Sequence, residues 1–422
     1  MVDFEVLKGT KDILSNEKIK VDLILDIIRK NFEKYGFRPF DTPIIEYLNI
    51  LTFKYGEGAE ITDEIFTLSD RGERELGLRY DLTTPLCRFV ASQKQFKKPF
   101  RRYQFGKVFR DGPIKKGRLR EFIQCDGDVI GVAGVEIEAE LLELFYSTYK
   151  ELEINPIIEI NNNKILRGVF IQNGFKESEI SSLILSVDKL KKIGFEKVLE
   201  EINLKGFDKD RAKLSIEILS CKSIEELKLK ATNDLFKEGI DEIEKLINLI
   251  KNLGINYRLN FSMARGLDIY TGNIWEVYDF NNSIVSSIGS GGRFDKVIGE
   301  FTNSNEDVLA VGISFGLVPI LEVLKYNKKS NSIFKNKETL TDILVVPIGE
   351  DFVPYSFKVA NKYRIKNNLN VEVFYGYSLK KAFKYCDSLG IKNLILVGEN
   401  EVNNNEVILK NLKTKEEKLE KI

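Results

Sequence analysis

The chain has 422 residues, with 64 Lys and Arg balanced by 64 Asp and Glu, and no histidine. Without an imidazole it holds no Ser-His-Asp or Cys-His nucleophile system, no HExxH zinc site and no histidine pH switch, so acid-base work falls to carboxylates, Lys, Tyr or the substrate. At 43% hydrophobic and 11% aromatic residues the length predicts two or three domains with real cores, and the cancelled charge leaves only local patches to attract polyanions.

An amphipathic helix is expected over Ser15 to Tyr35, with Val21, Ile24, Leu25, Ile28 and Phe32 on one stripe and Gly36 as its left-handed stop. Short β-like segments follow (FRPFDTPII, EIFTLSD, ELGLRYDL). Next come two alternating stretches, RRYQFGKVFRD and EFIQCDGDVIG, which read as an antiparallel hairpin whose loop, GPIKKGRLR, makes a basic tip. A helix near Val135 to Leu152 and a strand near Pro156 to Ile160 complete this stretch. From Gly174 to Leu253 the spacing of Leu and Ile turns helical, with Gly194, Gly206 and Gly239 as breaks. Strands return at NYRLNFSMARG, IYTGNIWEVYDF and SIVSSIGSGGRFD, and an apolar helix is expected over Val311 to Leu324. After the polar linker KYNKKSNSIFKNKET, strands and helices alternate to the end, the pattern of a small α/β domain.

The four cysteines, Cys87, Cys125, Cys221 and Cys386, are widely spaced with no CxxC pair, as reduced thiols in a cytosolic protein are. No resident metal site is expected. The amino terminus MVDFEVLKGTKD has charges where a signal peptide needs an apolar run, and no stretch reaches the roughly 18 apolar residues of a membrane span. A soluble, cytoplasmic protein without membrane contact is expected.

Two places carry chemistry. On Glu121 to Ile130, alternation puts Gln124, Asp126 and Asp128 on one face, a pocket wall or a half-exposed sheet surface. Beside it Arg110, Lys115, Lys116, Arg118 and Arg120 suit a polyphosphate, or form a solvated basic turn. The second place is ARGLDIYTG, Ala264 to Gly272, followed by GSGGRFD, Gly289 to Asp295, whose small residues permit close approach of a flat ligand or mark bulges. Neither is a Walker loop or a GxGxxG turn opening a helix.

With KGTKD, TPIIE, LRYDLT and FRDGPIKKGRLREFIQCDGD, these segments resemble, in order and spacing, the histidyl-tRNA synthetase family of class II aminoacyl-tRNA synthetases. The most specific piece is RGLD-x-YTG. The resemblance implies an α+β protein: a class II antiparallel-sheet catalytic core (1–165 and 255–326), interrupted by a helical insertion (166–254), then a linker (327–340) and a carboxy-terminal α/β anticodon-binding domain (341–422). It also implies histidine, ATP with Mg2+, and histidine tRNA as substrates, and a homodimer formed around Pro43. By position in the matching motifs, Arg110 would contact the α-phosphate and the substrate carboxylate, Arg118 the outer phosphates and Arg265 the α-phosphate from the other side. Asp81 and Thr83 would receive the ammonium with Gln124 nearby, Asp128 and Tyr270 would read the imidazole, and Ile269 would make one pocket wall apolar. Lys380, Lys381 and Lys384 form a further patch suited to RNA.

One departure bears on activity. The third class II motif ends in an acid and an arginine that grips ATP, and here VGISFGLVPIL has Val318 and Pro319 in those places, with Arg293 and Lys296 as candidate substitutes. The alternative reading is a non-catalytic relative that senses histidine, such as the regulatory subunit of ATP phosphoribosyltransferase. Retention of Arg110, Arg118 and Arg265, and the carboxy-terminal domain, favour the synthetase.

Overall fold

A computed structural model describes residues 4–53, 62–93, 97–114, 119–264, 269–301, 306–326, 332–334 and 339–422. Arg118, Arg265, Lys115 and Lys116 lie outside these, as does most of the expected linker. The described chain divides into two compact units: residues 4–12 with 24–326, and residues 13–23 with 332–422.

In chain order the larger unit contains α1 (Ser15–Lys34, from Ile24 on), β1 (Arg38–Pro39), β2 (Ile45–Tyr47), α2 (Leu48–Thr52), β3 (Thr67–Ser69), β4 (Glu75–Leu78) and α3 (Thr83–Ser92). The hairpin follows as β5 (Phe100–Phe109) and β6 (Glu121–Ile130), then α4 (Glu136–Glu151) and β7 (Pro156–Asn162). Helices α5 (Asn163–Gln172), α6 (Glu177–Val187), α7 (Leu190–Ile193), α8 (Phe195–Leu204), α9 (Lys209–Leu219), α10 (Ile224–Lys228) and α11 (Asp234–Lys251) come next. β8 (Tyr257–Leu259), β9 (Asn273–Asp279), β10 (Gly289–Arg293), α12 (Val297–Phe301), β11 (Ala310–Gly316) and α13 (Leu317–Tyr326) complete it.

Its main sheet has the order β1-β5-β6-β11-β10-β9-β7-β8, antiparallel except for the outer pairs β1–β5 and β7–β8. Period-two alternation gives this sheet two unlike faces. One carries Tyr103, Phe105, Ile313, Phe315, Trp275 and Val277 and is covered by α1 and α4. Phe32 of α1 stacks on Tyr103 with ring centroids 5.6 Å apart, and Phe145 of α4 meets Phe315 edge-on at 4.5 Å. A β-carbon at Gly127 would come under 3.0 Å from the Phe32 ring, so only glycine lets α1 approach β6 this closely. The other face carries the polar residues and forms the candidate site.

Two expectations change. Residues 311–316 form a strand rather than the start of a helix: Gly312, Ser314 and Gly316 alternate with Val311, Ile313 and Phe315, and the strand pairs with both β6 and β10. The helix begins at Leu317, which puts Pro319 in its first turn, where backbone N–H groups lack intrahelical acceptors and a missing one costs little. Gly194 and Gly206 do end helices, with φ of +83° each, but Gly239 lies inside α11. A β-carbon there would come under 3.0 Å from the backbone of Ile165, so its role is close packing of α5 on α11. These helices pack around a core that includes Ile165, Phe170, Leu183, Ile216, Phe236 and Ile243 and extends to Phe261, Met263 and Ile274 of the sheet side.

The smaller unit holds β12 (Ile343–Pro347), α14 (Val353–Asn367), β13 (Val371–Val373), α15 (Leu379–Leu389), β14 (Asn393–Val397), α16 (Glu399–Asn404), β15 (Glu406–Asn411) and β16 (Glu417–Lys421). Its sheet order is β13-β12-β14-β15-β16, parallel over the first three strands and antiparallel over the rest. The charged segment EKLEK of β16 carries no apolar alternation, and only its pairing with β15 makes it a strand.

Candidate active site

On the polar face, the register lines up residues across neighbouring strands. One row runs Arg102, Asp128, Gly312, Gly292, Ile274; the next runs Gln104, Asp126, Ser314, Ser290, Glu276; a third holds Gly106, Gln124 and Gly316. The Asp128 carboxylate thus has glycines opposite it on the two next strands. A side chain at Gly312 would come under 3.0 Å from Asp128 Oδ1 and 3.3 Å from the Phe294 ring, and one at Gly292 would meet the Tyr270 ring at 2.7 Å. The two glycines therefore make room for functional groups: the Asp128 carboxylate lies over Gly312 beside the Phe294 ring, and the Tyr270 ring lies over Gly292.

Asp81 reaches this neighbourhood from the turn before α3. Its carboxylate accepts the Thr84 amide at 2.9 Å and the Thr84 hydroxyl at 3.2 Å, which ties it to the first helical turn. Thr83, the first residue of that helix, is half-buried. Arg110 follows β5; its Nε donates to the carbonyl of Tyr80 at 3.1 Å, and its guanidinium lies 5.2 Å from the Phe122 ring centroid. Gln124 Oε1 is buried with no hydrogen-bond partner among the described residues. Ile269 is buried in an apolar cluster with Leu86, Cys87, Ile130 and Phe294, while Tyr270 packs at its border.

Two residues that sequence reasoning left out, Arg102 and Ser314, complete the arrangement around Asp126 and Asp128. Arg102 is fully buried, with its Nη2 2.6 Å from Asp128 Oδ2, a charge contact rather than an aligned hydrogen bond. Ser314 donates its hydroxyl to Asp126 Oδ1 at 2.5 Å. Burial pushes Asp126 up to about 7; Arg102 pulls it back and the Asp128 charge pushes it further. Burial likewise lifts Asp128 to about 6, opposed by Arg102 and aided by Asp81. Both carboxyls are thus poised near neutrality and gain if a cation enters. The missed arginine had a signal: Arg101 and Arg102 must face opposite sides, but only register shows that Arg101 pairs with Glu140 of α4 and Arg102 with the aspartates.

The two candidate replacements for the missing motif-three arginine differ in their surroundings. Arg293 is committed to Glu138 at 2.5 Å, to Asp295 at 3.3 Å and to the carbonyls of Val132 and Gly134. Lys296 is exposed.

The sequence profile described as histidyl-tRNA synthetase matches residues 9–320, and one described as anticodon binding domain matches residues 342–422. The chain belongs to the histidyl-tRNA synthetase family. Among its curated relatives, the histidine-tRNA ligase 1 of Bacillus cereus is 38% identical, over 98% of this chain and 96% of that protein. The histidine-tRNA ligase of Clostridium tetani is 37% identical, over 97% and 94% respectively. The crystal structure of histidyl-tRNA synthetase from Nostoc superimposes with a TM-score of 0.82 at 28% identity, covering 100% of this chain and 97% of that one. A Bacillus halodurans structure described as an ATP phosphoribosyltransferase regulatory subunit/histidyl-tRNA synthetase shares the fold, with a TM-score of 0.77 at 18% identity over 93% of this chain and 98% of its own. As in that family, a large antiparallel-rich sheet core is joined to an anticodon-binding domain. Among the described residues no helix is long and apolar enough to cross a membrane, and no three Cys, Asp or Glu side chains are grouped to hold a metal ion.

Proposed function

We propose that this protein is a histidine-tRNA ligase that activates L-histidine with ATP and transfers it to the 3′ end of histidine tRNA. The observation that carries the reading is the pairing of Asp128 with Tyr270 on neighbouring glycine backbone. An anionic acceptor over Gly312 next to the Tyr270 ring over Gly292 suits a flat ring that carries an N–H. Asp128 and Tyr270 read the imidazole, while Asp81 and Thr83 receive the ammonium with Gln124 nearby, and Ile269 backs the pocket from the apolar cluster. A ring that cannot satisfy these buried polar atoms is rejected.

The first step joins a carboxylate oxygen of histidine to the α-phosphorus of ATP and breaks the bond to the β-phosphate bridge, releasing pyrophosphate. The nucleophile is already ionised, so no general base is needed, and the absence of protein histidine is no obstacle. Arg110 and Arg265 hold the α-phosphate and neutralise its developing charge; Arg118 holds the outer phosphates. Mg2+ enters with ATP as part of that substrate. In the second step a hydroxyl oxygen of the terminal ribose attacks the acyl carbon, the bond from that carbon to the phosphate oxygen breaks, AMP leaves, and the hydroxyl proton is released to solvent.

We assign residues 1–165 and 255–326 to the catalytic core, 166–254 to the insertion, 327–340 to the linker and 341–422 to anticodon binding, in a cytoplasmic homodimer formed around Pro43. In the smaller unit, exposed Tyr375, Tyr377 and Phe383 stand close in sequence to exposed Lys380, Lys381 and Lys384. Stacking rings interleaved with cations suit unpaired nucleotides. A concavity of about 640 Å³ beside them, lined by Arg364, Glu372, Tyr375 and Tyr385 along edge strand β13, adds room for a base.

The test is histidine-dependent exchange of pyrophosphate into ATP by the purified protein, followed by charging of histidine tRNA. Exchange is expected. A folded protein that binds histidine without exchange would overturn the reading and favour a histidine sensor, which Val318 and Pro319 in the third motif would then explain.

A further inference from the structure

The reaction leaves two buried ionisable groups on the site face, Arg102 and Asp126, without a task. Arg102 is fully inside, directly across the ladder from Asp128. Its guanidinium is held from three sides. Nη1 donates to Gln104 Oε1 at 3.2 Å, Nη2 reaches the Leu82 carbonyl at 3.4 Å, and Nη2 lies 2.6 Å from Asp128 Oδ2. Gln104 is itself fixed, since its amide donates to Asp41 Oδ1 at 2.7 Å and to Thr42 Oγ1 at 3.0 Å. The cation therefore has a fixed place before any substrate arrives.

Asp128 is approached from two sides. Oδ2 faces Arg102, while Oδ1 is turned toward the neighbouring strand and takes the space that a Gly312 side chain would fill, beside the Phe294 ring. We propose that Arg102 sets the ring selectivity of the site: paired with one oxygen of Asp128, it keeps that carboxylate ionised and oriented so that the other oxygen accepts an N–H from the bound imidazole. This rests on the histidine-activating reading above. Arg102 is a positioning residue, acting through Asp128 rather than on the substrate.

The electrostatics support it. The charges acting on Asp128 are Arg102 on β5 and Asp81 before α3, with Asp126 next on its own face of β6; the facing positions on β11 and β10 are Gly312, Ser314, Ser290 and Gly292. Burial already lifts Asp128 to about 6 with Arg102 in place. Without the guanidinium, burial and the Asp81 charge act unopposed, and the carboxyl is protonated at neutral pH. A protonated Asp128 is a donor, which suits a ring nitrogen lone pair and no longer demands a ring N–H.

The experiment uses full-length Arg102→Met and Arg102→Lys, with Asp128→Asn as a second background. Pyrophosphate exchange is measured against histidine, ATP and pH, and the two ring-N-methylated histidines serve as competitors. Arg102→Met is expected to raise KM for histidine on the order of 10- to 100-fold at neutral pH, with KM for ATP within about twofold. It should also weaken the preference for histidine over the N-methyl analogues and move the pH dependence of kcat/KM for histidine upward. Arg102→Lys keeps the charge and is expected to restore the pH profile while recovering affinity in part. In the Asp128→Asn background the same change should add nothing to ring selectivity. An unchanged analogue preference and pH profile would overturn the proposal, as would parallel losses for histidine and ATP. If Arg102→Met does not fold, Arg102→Lys decides: a histidine-specific rise in KM supports the proposal, and wild-type kinetics or equal losses refute it. If the wild type binds histidine by calorimetry but shows no exchange, the ligase reading fails alone, and the same variants are scored by calorimetric affinity for histidine and its analogues. A wild type that binds no histidine overturns both.

Discussion

Asp126 holds its proton well above the ordinary carboxylate range because it is buried beside another acid, and this has a calculable sign. The folded state keeps a proton up to about pH 7, whereas the unfolded chain releases it near pH 4. The folded state thus binds more protons across that interval, so this residue's contribution to stability falls as pH rises through it and levels off above. Asp126→Asn, with Ser314 still able to donate to the amide oxygen, is expected to raise Tm relative to the native protein at about pH 8 and to lose most of that advantage at about pH 5. Paired thermal scans at the two pH values check this; an advantage independent of pH would contradict it. Much of the site was readable in the sequence at this scale: the alternation of Gln124, Asp126 and Asp128 named the face correctly. What alternation cannot supply is which residue of the next strand lies opposite. That is why Arg102 and Ser314 emerge only with the register.

At the scale of elements, two residues that both look disruptive in sequence separate. Gly127 sits mid-strand, where α1 presses Phe32 into the space of its absent side chain, so Gly127→Ala should cost about 1–3 kcal/mol by forcing helix and sheet apart. Pro319 is in the first turn of α13, and Pro319→Ala should change stability by less than about 0.5 kcal/mol. Urea denaturation of both variants makes the comparison; similar losses would refute it. Long helices and the hairpin were legible because their periodicities persist over ten or more residues. Residues 311–316 were misread because a run of glycine and apolar residues scores as a buried helix unless its period is counted, and Gly239 because a glycine that stops a helix and one that lets two helices touch look alike in one dimension.

For the whole molecule, the two units have separate hydrophobic cores, one around the helices and main sheet, the other around Val345, Val359, Tyr363 and Ile395. Changes in one need not disturb chemistry in the other. Lys380→Glu, Lys381→Glu and Lys384→Glu together are expected to leave pyrophosphate exchange within about twofold while weakening tRNA charging by at least about tenfold, chiefly in KM and more steeply at higher salt. Steady-state aminoacylation beside exchange on the same preparation separates the two; equal losses in both would remove the RNA role from this helix.

Asp128 and Tyr270 belong to a chain that contains no imidazole of its own. Nitrogen-15 histidine bound there would give ring resonances free of any protein histidine background. Their chemical shifts would report directly which ring nitrogen keeps its proton against Asp128, and at what pH it lets go.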